Sequence, residues 1–443
     1  MDLSNLILIA MGFQPEAVKI EDFLVNAADL SANLTIRHVR EQCRCPYCQE
    51  PLYGVKQWRK RELWGAPLGA LQKIKIIFYQ LQGACGRCLK HPLAEANFIH
   101  PRFKKMTTAF AEHAGRWMEE TTIAAVERMT NCPAMSLWRL DQWRMQRMKK
   151  LFEIPTDLPM SFASADEVHM RTVKPKDYPM DKSRWDKKFI TNLVSCDLSR
   201  VVANASGRSS RSLQSCLKQI PEDIRDRIKF IAVDMHDGFI NAATKLCPNA
   251  KVTVDRFHVA EALNRAFDDL RKEEHDKAKL EKDRFQCEML RPSKRYILMT
   301  RKKQLPRGEQ KLFERLMQVN QKINSALILM EYFHSILDKN KVSEFQEGLK
   351  LWEELVMTSK IIQFESFLKT VKKHQTRIEA YISSKLTTAI SEGINNKIKV
   401  LKRVGYTYTN ETSFKNKILQ RCGFINSRHL DTSGWYWHVP TPH

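Results

Sequence analysis

Two sets of side chains in this 443-residue chain are spaced for chemistry. The first is Cys43-Arg-Cys45-Pro-Tyr-Cys48, followed some 40 residues on by Cys85-Gly-Arg-Cys88. Tetrahedral zinc takes four soft ligands, and a Cys-x-x-Cys turn supplies two of them. The spacing predicts one structural Zn²⁺ on Cys45, Cys48, Cys85 and Cys88. Cys43 competes with Cys45 for the first position, and His91 is a spare candidate. The second set is acidic: Asp166, Asp234 and Glu392. Cutting a phosphodiester at neutral pH needs a strong nucleophile and stabilisation of a highly charged transition state. Two divalent cations about 3.5–4 Å apart supply both. Mg²⁺ favours carboxylate oxygens and keeps several waters, so a few convergent acids suffice.

Each acid has a plainer alternative. Asp166 can be an ordinary strand-edge carboxylate. Its neighbour Glu167 is a rival ligand, although successive strand residues point to opposite faces. Asp197 is the other rival for the first position, but it falls at a turn. Asp237, close to Asp234, suits a helix cap. Glu392, on a charged helix, can be a solvated residue.

The elements that must position these groups follow from the pattern. Ala163–Arg171 reads as a first strand and Lys188–Cys196 as a second. Asp197–Arg200 forms a hairpin turn, and Val201–Ala205 returns as a third strand. Ser209–Gln219 suits a helix, Lys229–Val233 a buried strand ending at Asp234, Gly238–Leu246 a helix, and Lys251–Val254 a fifth strand. A three-stranded meander followed by helix, strand, helix and strand is the ribonuclease H-like order, with a mixed five-stranded sheet covered by helices. Asp166 and Asp234 then lie on neighbouring strands. Upstream, Ile74–Tyr79 is strand-like and joins the two cysteine turns into a zinc ribbon. Between 104 and 150 the pattern is helical. Its last helix carries Arg139, Arg144 and Arg147 among aromatic residues, which is compatible with a helix-turn-helix-like DNA-binding segment. From 259 to about 385 charge is dense and strand signal scarce, so a long all-α insertion is expected.

The expected organisation is a zinc-ribbon-like module over 1–100 and a helical DNA-binding segment over 101–156. The first part of the core spans 157–258, the insertion 259–385, and the last core helix with Glu392 386–426. Residues 427–443 form a tail. Lys plus Arg number 73 against 50 Asp plus Glu, a formal charge of +23. That excess suits a polyanion, either nucleic acid or an anionic membrane surface. No apolar run approaches the ~20 residues that span a bilayer. Met1–Met11 lacks the basic leader of a signal peptide, so a cytosolic chain without membrane association is expected. Eleven cysteines in that setting are ligands or free thiols rather than disulfides.

Three blocks carry a family resemblance. They are Val233-Asp-Met-His-Asp-Gly-Phe239, Pro248-Asn-Ala-Lys-Val-Thr-Val-Asp-Arg-Phe-His258, and Ser391-Glu-Gly-Ile-Asn-Asn-Lys-Ile-Lys399 with Lys402-Arg403. Together with Asp166-Glu167 before a strand hairpin and the N-terminal cysteine module, they resemble the ISL3 family of bacterial insertion-sequence transposases, from about Cys43 to Phe424. The resemblance implies a DDE transposase that binds the terminal inverted repeats of its element and cleaves and rejoins DNA. It implies Asp166, Asp234 and Glu392 as a catalytic triad holding two Mg²⁺ (or Mn²⁺) ions. The Ser-Ala before Asp166 is less aliphatic than the family pattern, and the second cysteine pair is compact. Asp255 and His258 match a block placed beside the active site in such enzymes, and Asn395, three residues after Glu392, shares its helix face. Lys397, Lys399, Lys402 and Arg403 are expected at phosphates, with Arg139 and Arg144 on the recognition segment. Between Asn395 and Arg421 seven residues are basic and one acidic, a run suited to the DNA backbone. The partners implied are double-stranded transposon-end and target DNA. Bringing two ends together implies a homodimer or higher oligomer in a synaptic complex in the bacterial cytosol, at the nucleoid.

Overall fold

The computed structural model describes residues 2–170, 189–294, 298, 306–386, 389–405 and 410–428. Two compact units divide the chain. One comprises the chain up to Glu153 together with the chain from Leu401 on; the other is Ile154–Val400. The second unit is thus inserted into the first.

The first unit opens with helix α1 (Leu3–Ala10) and a four-stranded sheet of β1 (Val18–Asn26), β2 (Ser31–His38), β3 (Leu52–Gly65) and β4 (Lys73–Cys85). The strand order is β1-β2-β4-β3, with β2 and β4 parallel and the outer pairs antiparallel. Alternation explains the burial: Ile74, Ile76 and Phe78 point inward onto Leu8, Phe13, Leu34, Ile36 and Phe98. On the other face Arg37 lies over the rings of Trp58 and Tyr79. Three helices follow: α2 (Thr108–Glu120), α3 (Ile123–Thr130) and α4 (Ala134–Leu151). The hydroxyls of Thr107 and Thr122 cap the first two. Asn131, at φ 56°, ends α3 in the left-handed region that Asn tolerates.

The expectation for Arg144 fails here. Its side chain is fully buried and pairs with Glu119 at 2.9 Å. It cannot reach DNA without breaking that pair. Arg139 is exposed on α4. A helix from the far end of the chain, Glu411–Cys422, packs against α2 and α4. Its Lys417 ammonium, itself buried, donates to Asp141 at 3.1 Å and to the Met118 carbonyl at 2.7 Å.

The second unit carries β5 (Phe162–His169), β6 (Phe189–Ser195), β7 (Arg200–Ser206), β8 (Phe230–Val233) and β9 (Lys251–Val254). The order is β7-β6-β5-β8-β9. β5, β6 and β7 form an antiparallel meander, while β8 and β9 run parallel to β5. Each strand falls where the alternation placed it; Arg171 and Lys188, at two of the expected ends, lie outside the described residues. Helices α5 (Ser210–Leu217) and α7 (Asp237–Leu246) pack against each other, and the short α6 (Glu222–Asp226) between them was not anticipated.

From α8 (Arg256–Leu280) onward the unit is helical through α9 (Arg284–Leu290), α10 (Arg307–Val319), α11 (Gln321–Leu337), α12 (Val342–Ser359) and α13 (Ile362–Ser384). One apolar core runs from Val254 on the sheet through Leu263, Phe267, Phe333, Trp352 and Phe367. The helices therefore pack onto the sheet rather than forming a separate body. Helix α14 (Ala389–Val404) returns to the sheet, and α15 (Glu411–Cys422) is the helix that packs in the first unit.

Candidate active site and metal centre

The two cysteine turns share one backbone geometry. In the first, Gln49 N–H donates to the Cys45 carbonyl at 2.9 Å; in the second, Leu89 N–H donates to Cys85 at 3.0 Å. Gln49 and Leu89 both take positive φ, 63° and 53°. Each knuckle then closes by a return bond, from Cys45 N–H to Glu50 and from Cys85 N–H to Lys90. The sulfurs of Cys45, Cys48, Cys85 and Cys88 lie within 4.8 Å of one another. Individual separations are 3.9 Å for Cys45–Cys88, 3.5 Å for Cys48–Cys85 and 3.3 Å for Cys48–Cys88. Ligands 2.3 Å from a tetrahedral centre are about 3.8 Å apart, so the four thiols are compatible with a structural zinc.

The Cys88 backbone N–H, aimed at the Cys85 sulfur, holds that thiol down at about 7, while the other thiols push Cys88 up to about 12. Cys43 stands outside the cluster: it is buried, its S–H donates to the Val39 carbonyl, and burial pushes it up to about 11. His91 is exposed and is not among the clustered ligands.

The acidic residues gather at one end of the five-stranded sheet. Ser164 of β5 stands opposite Ala232 of β8. Continued two residues further, that register sets Asp166 beside Asp234, on strands about 4.8 Å apart. Asp166 accepts from the Glu167 N–H at 2.7 Å and from the Asn395 side-chain amide at 2.7 Å. Asn395 is buried on α14, and one turn earlier Ser391 hydrogen-bonds to Ser164. Two bonds thus fasten α14 across β5.

Glu392 sits on the same helix but is exposed. At 100° per residue, it is rotated roughly 60–100° from the Asn395 and Ser391 contacts. Among the described residues, the four cysteines are the group of three or more such ligands that lies within a single coordination sphere. Asp166, Asp234 and Glu392 are not drawn together that closely.

His258, near the start of α8, places Nδ1 3.5 Å from Asp234 and 3.7 Å from Glu261. Asp255 is buried and caps α8 by accepting from Phe257 N–H. Burial, with the charges of Asp234 and Asp255 adding to it, raises Asp166 above the usual carboxylate range, while His258 and the Glu167 N–H oppose the shift. Glu167 is pushed up to about 7, chiefly by burial and then by the charges of Asp166 and Asp234. So much negative charge in a half-buried place favours a cation.

Two of the rival acids, Asp197 and Asp237, are occupied elsewhere. Asp197 accepts from the Phe162 N–H at 2.9 Å, at the opposite end of β5 from Asp166. Asp237, in the first turn of α7, pairs with Lys373 at 2.8 Å. Lys397, Lys399 and Arg403 are exposed on α14, and Lys402 is half-buried. Sequence reasoning missed Asn192, buried on β6 directly opposite Asp166. The signal available was an amide side chain in the middle of a strand whose pattern marks it as buried.

Residues 179–418 match the ISL3 family of DDE proteins, described as transposase. The chain belongs to the ISL3 family of insertion-sequence transposases, and DNA transposition and DNA binding are what that membership supports. It is 24% identical over 318 residues to the transposase for insertion sequence element IS1001 of Bordetella parapertussis, covering 72% of this chain and 74% of that protein. It is 21% identical over 239 residues to the transposase for insertion sequence element IS1557 of Mycobacterium tuberculosis, covering 50% and 54%. The Drosophila P element transposase strand transfer complex aligns over 73% of this chain and 92% of that chain. The TM-score is 0.32 at 9% identity. No helix among the described residues is long and apolar enough to cross a membrane.

Proposed function

We propose that the protein is a DDE transposase that binds the terminal inverted repeats of its element and performs metal-dependent strand cleavage and strand transfer. Asp166, Asp234 and Glu392 hold the cations on a ribonuclease H-like core. The observation that carries this reading is the β5–β8 register, which, continued past Ser164–Ala232, sets Asp166 beside Asp234, with α14 fastened over β5 through Ser391 and Asn395. The strand order, with β6 antiparallel between β7 and β5, supports the core assignment.

Asp166, Asp234 and Glu392 would hold two Mg²⁺ or Mn²⁺ ions, which would supply activation of the attacking oxygen and charge stabilisation at the leaving oxygen. The chain's own residues have separate tasks. Asn395 and the Glu167 N–H fix the plane of the Asp166 carboxylate. His258, beside Asp234, orients that acid or donates to a phosphate oxygen. Glu392 brings the third carboxylate from the exposed side of α14. Asp255 supports the site by fixing the start of α8 and with it His258.

Lys397, Lys399, Lys402 and Arg403 contact the DNA backbone, and Arg139 contributes from the helical segment. The four cysteines hold one structural zinc. The enzyme works as a homodimer or larger synaptic assembly in the bacterial cytosol. The test is cleavage of a labelled duplex ending in the element's own repeats. Wild-type protein nicks it only with Mg²⁺ or Mn²⁺, and Asp234→Ala brings cleavage below detection. Equal activity of the two proteins, or no metal dependence, refutes the proposal.

A further inference from the structure

Asn192 is an anomaly in its strand. Ile190, Leu193 and Val194 of β6 are at 0–1% exposure, and its other fully buried polar residues, Thr191 and Ser195, each donate a hydroxyl hydrogen bond, to the Gly207 and Pro159 carbonyls. Asn192 is 1% exposed, and neither its amide nitrogen nor its carbonyl oxygen has a hydrogen-bond partner. A buried amide in that state is costly, and an aliphatic side chain of similar size would spare the fold that cost.

Its place in the register points to a role. Asn192 stands directly opposite Asp166 in the antiparallel β5–β6 pair. Residues so opposed share a face, with Cβ atoms about 4.5–5.5 Å apart, which is within reach of an amide and a carboxylate. Asn395 already donates to Asp166 from α14. A second amide therefore waits on the flank of the same carboxylate, with Asn204 of β7 opposite it on its other side.

We infer that Asn192 is a positioning residue for the metal site: when a divalent cation binds, its amide donates to Asp166, so that amides from β6 and α14 fix the carboxylate from two sides. The inference rests on the reading of Asp166 as a metal-holding acid. Removing an outer partner of a ligand weakens metal affinity by about 10–100-fold.

The experiment titrates Mn²⁺ into the full-length protein and follows the free ion by electron paramagnetic resonance, with thermal melting alongside. Wild type, Asp166→Ala and Asn192→Leu are compared. Asp166→Ala loses the tight Mn²⁺ site. Asn192→Leu melts at or above the wild-type temperature yet binds Mn²⁺ about 10–100-fold more weakly. If Asn192→Leu binds as wild type while Asp166→Ala does not, Asn192 is a packing residue and this inference alone falls. If Asp166→Ala binds as wild type, the reading of the acid itself falls and takes the inference with it. Should Asn192→Leu fail to melt cooperatively, Asn192→Ser is held to the same comparison. Its expected weakening is about 10-fold, and wild-type affinity overturns the inference.

Discussion

Gly115 on α2 faces the Arg144 side chain so closely that a Cβ there would collide with the guanidinium. The missing side chain is what lets a charged residue pair with Glu119 inside the helical segment, where Glu119 also accepts from Ser427. Breaking a buried pair leaves an uncompensated charge, at about 3–5 kcal/mol. Gly115→Ala is therefore expected to lower stability by that order, read as a fall in the denaturant midpoint. The position of Arg144 was legible in part: Leu137, Leu140, Arg144 and Met148 recur at helical spacing, and Arg144 lies on the buried stripe. Its charge suggested DNA instead, because no sequence pattern announces the glycine opposite. Asp197 was more readable. A residue at the Asp197–Arg200 turn has backbone N–H groups to accept from, and it takes that of Phe162.

At the scale of elements, the knuckles divide five cysteines by backbone geometry. Cys45 and Cys85 each begin a turn closed by a left-handed residue, whereas Cys43 precedes its turn and bonds to Val39. Cys43→Ser is expected to retain one equivalent of zinc, and Cys45→Ser to lose it, as measured by metal content after dialysis. Retention by both variants would remove Cys45 from the ligand set. The strands of the second unit and the main helices were readable because alternation and capping are local properties, whereas β1, β2 and β3 of the first unit were not anticipated. Two further things were not legible. Helix α6, five residues long, is too short to show a period. The approach of α14 to β5 rests on Ser391 and Asn395, polar residues whose partners lie more than 200 residues away in sequence. Nor does the register that sets Asp166 beside Asp234 exist until the sheet forms.

Across the whole chain, two buried histidines of the first unit make its stability depend on pH. His38 and His100 are each lowered to about 4, chiefly by burial. His100 Nδ1 accepts from the N–H groups of Arg102 and Phe103, so protonation also disrupts a turn. Because the folded value lies below the unfolded one, the unfolded chain takes up protons first. The stabilisation is complete above about pH 6.5 and declines towards pH 4, by up to roughly 1.4 kcal/mol per pH unit for each histidine. Melting temperature should fall over that window, and His38→Phe should flatten the profile. A profile unchanged by that substitution would rule His38 out as its source. The first unit also depends on its distant helix: Lys417→Met strands Asp141 without its buried partner and should cost about 3–5 kcal/mol.

That dependence on a late segment has a consequence for synthesis. The ribosome emits everything up to Glu153, then the whole of Ile154–Val400, before Lys417 exists to neutralise Asp141. At about 5–20 residues per second, the nascent N-terminal part waits on the order of 10–50 s for its missing helix. A message cut short after the second unit would yield a polypeptide whose acidic ends on β5 and β8 are complete but whose N-terminal unit is left unfinished. A premature stop codon near the end of the reading frame would thus damage its beginning.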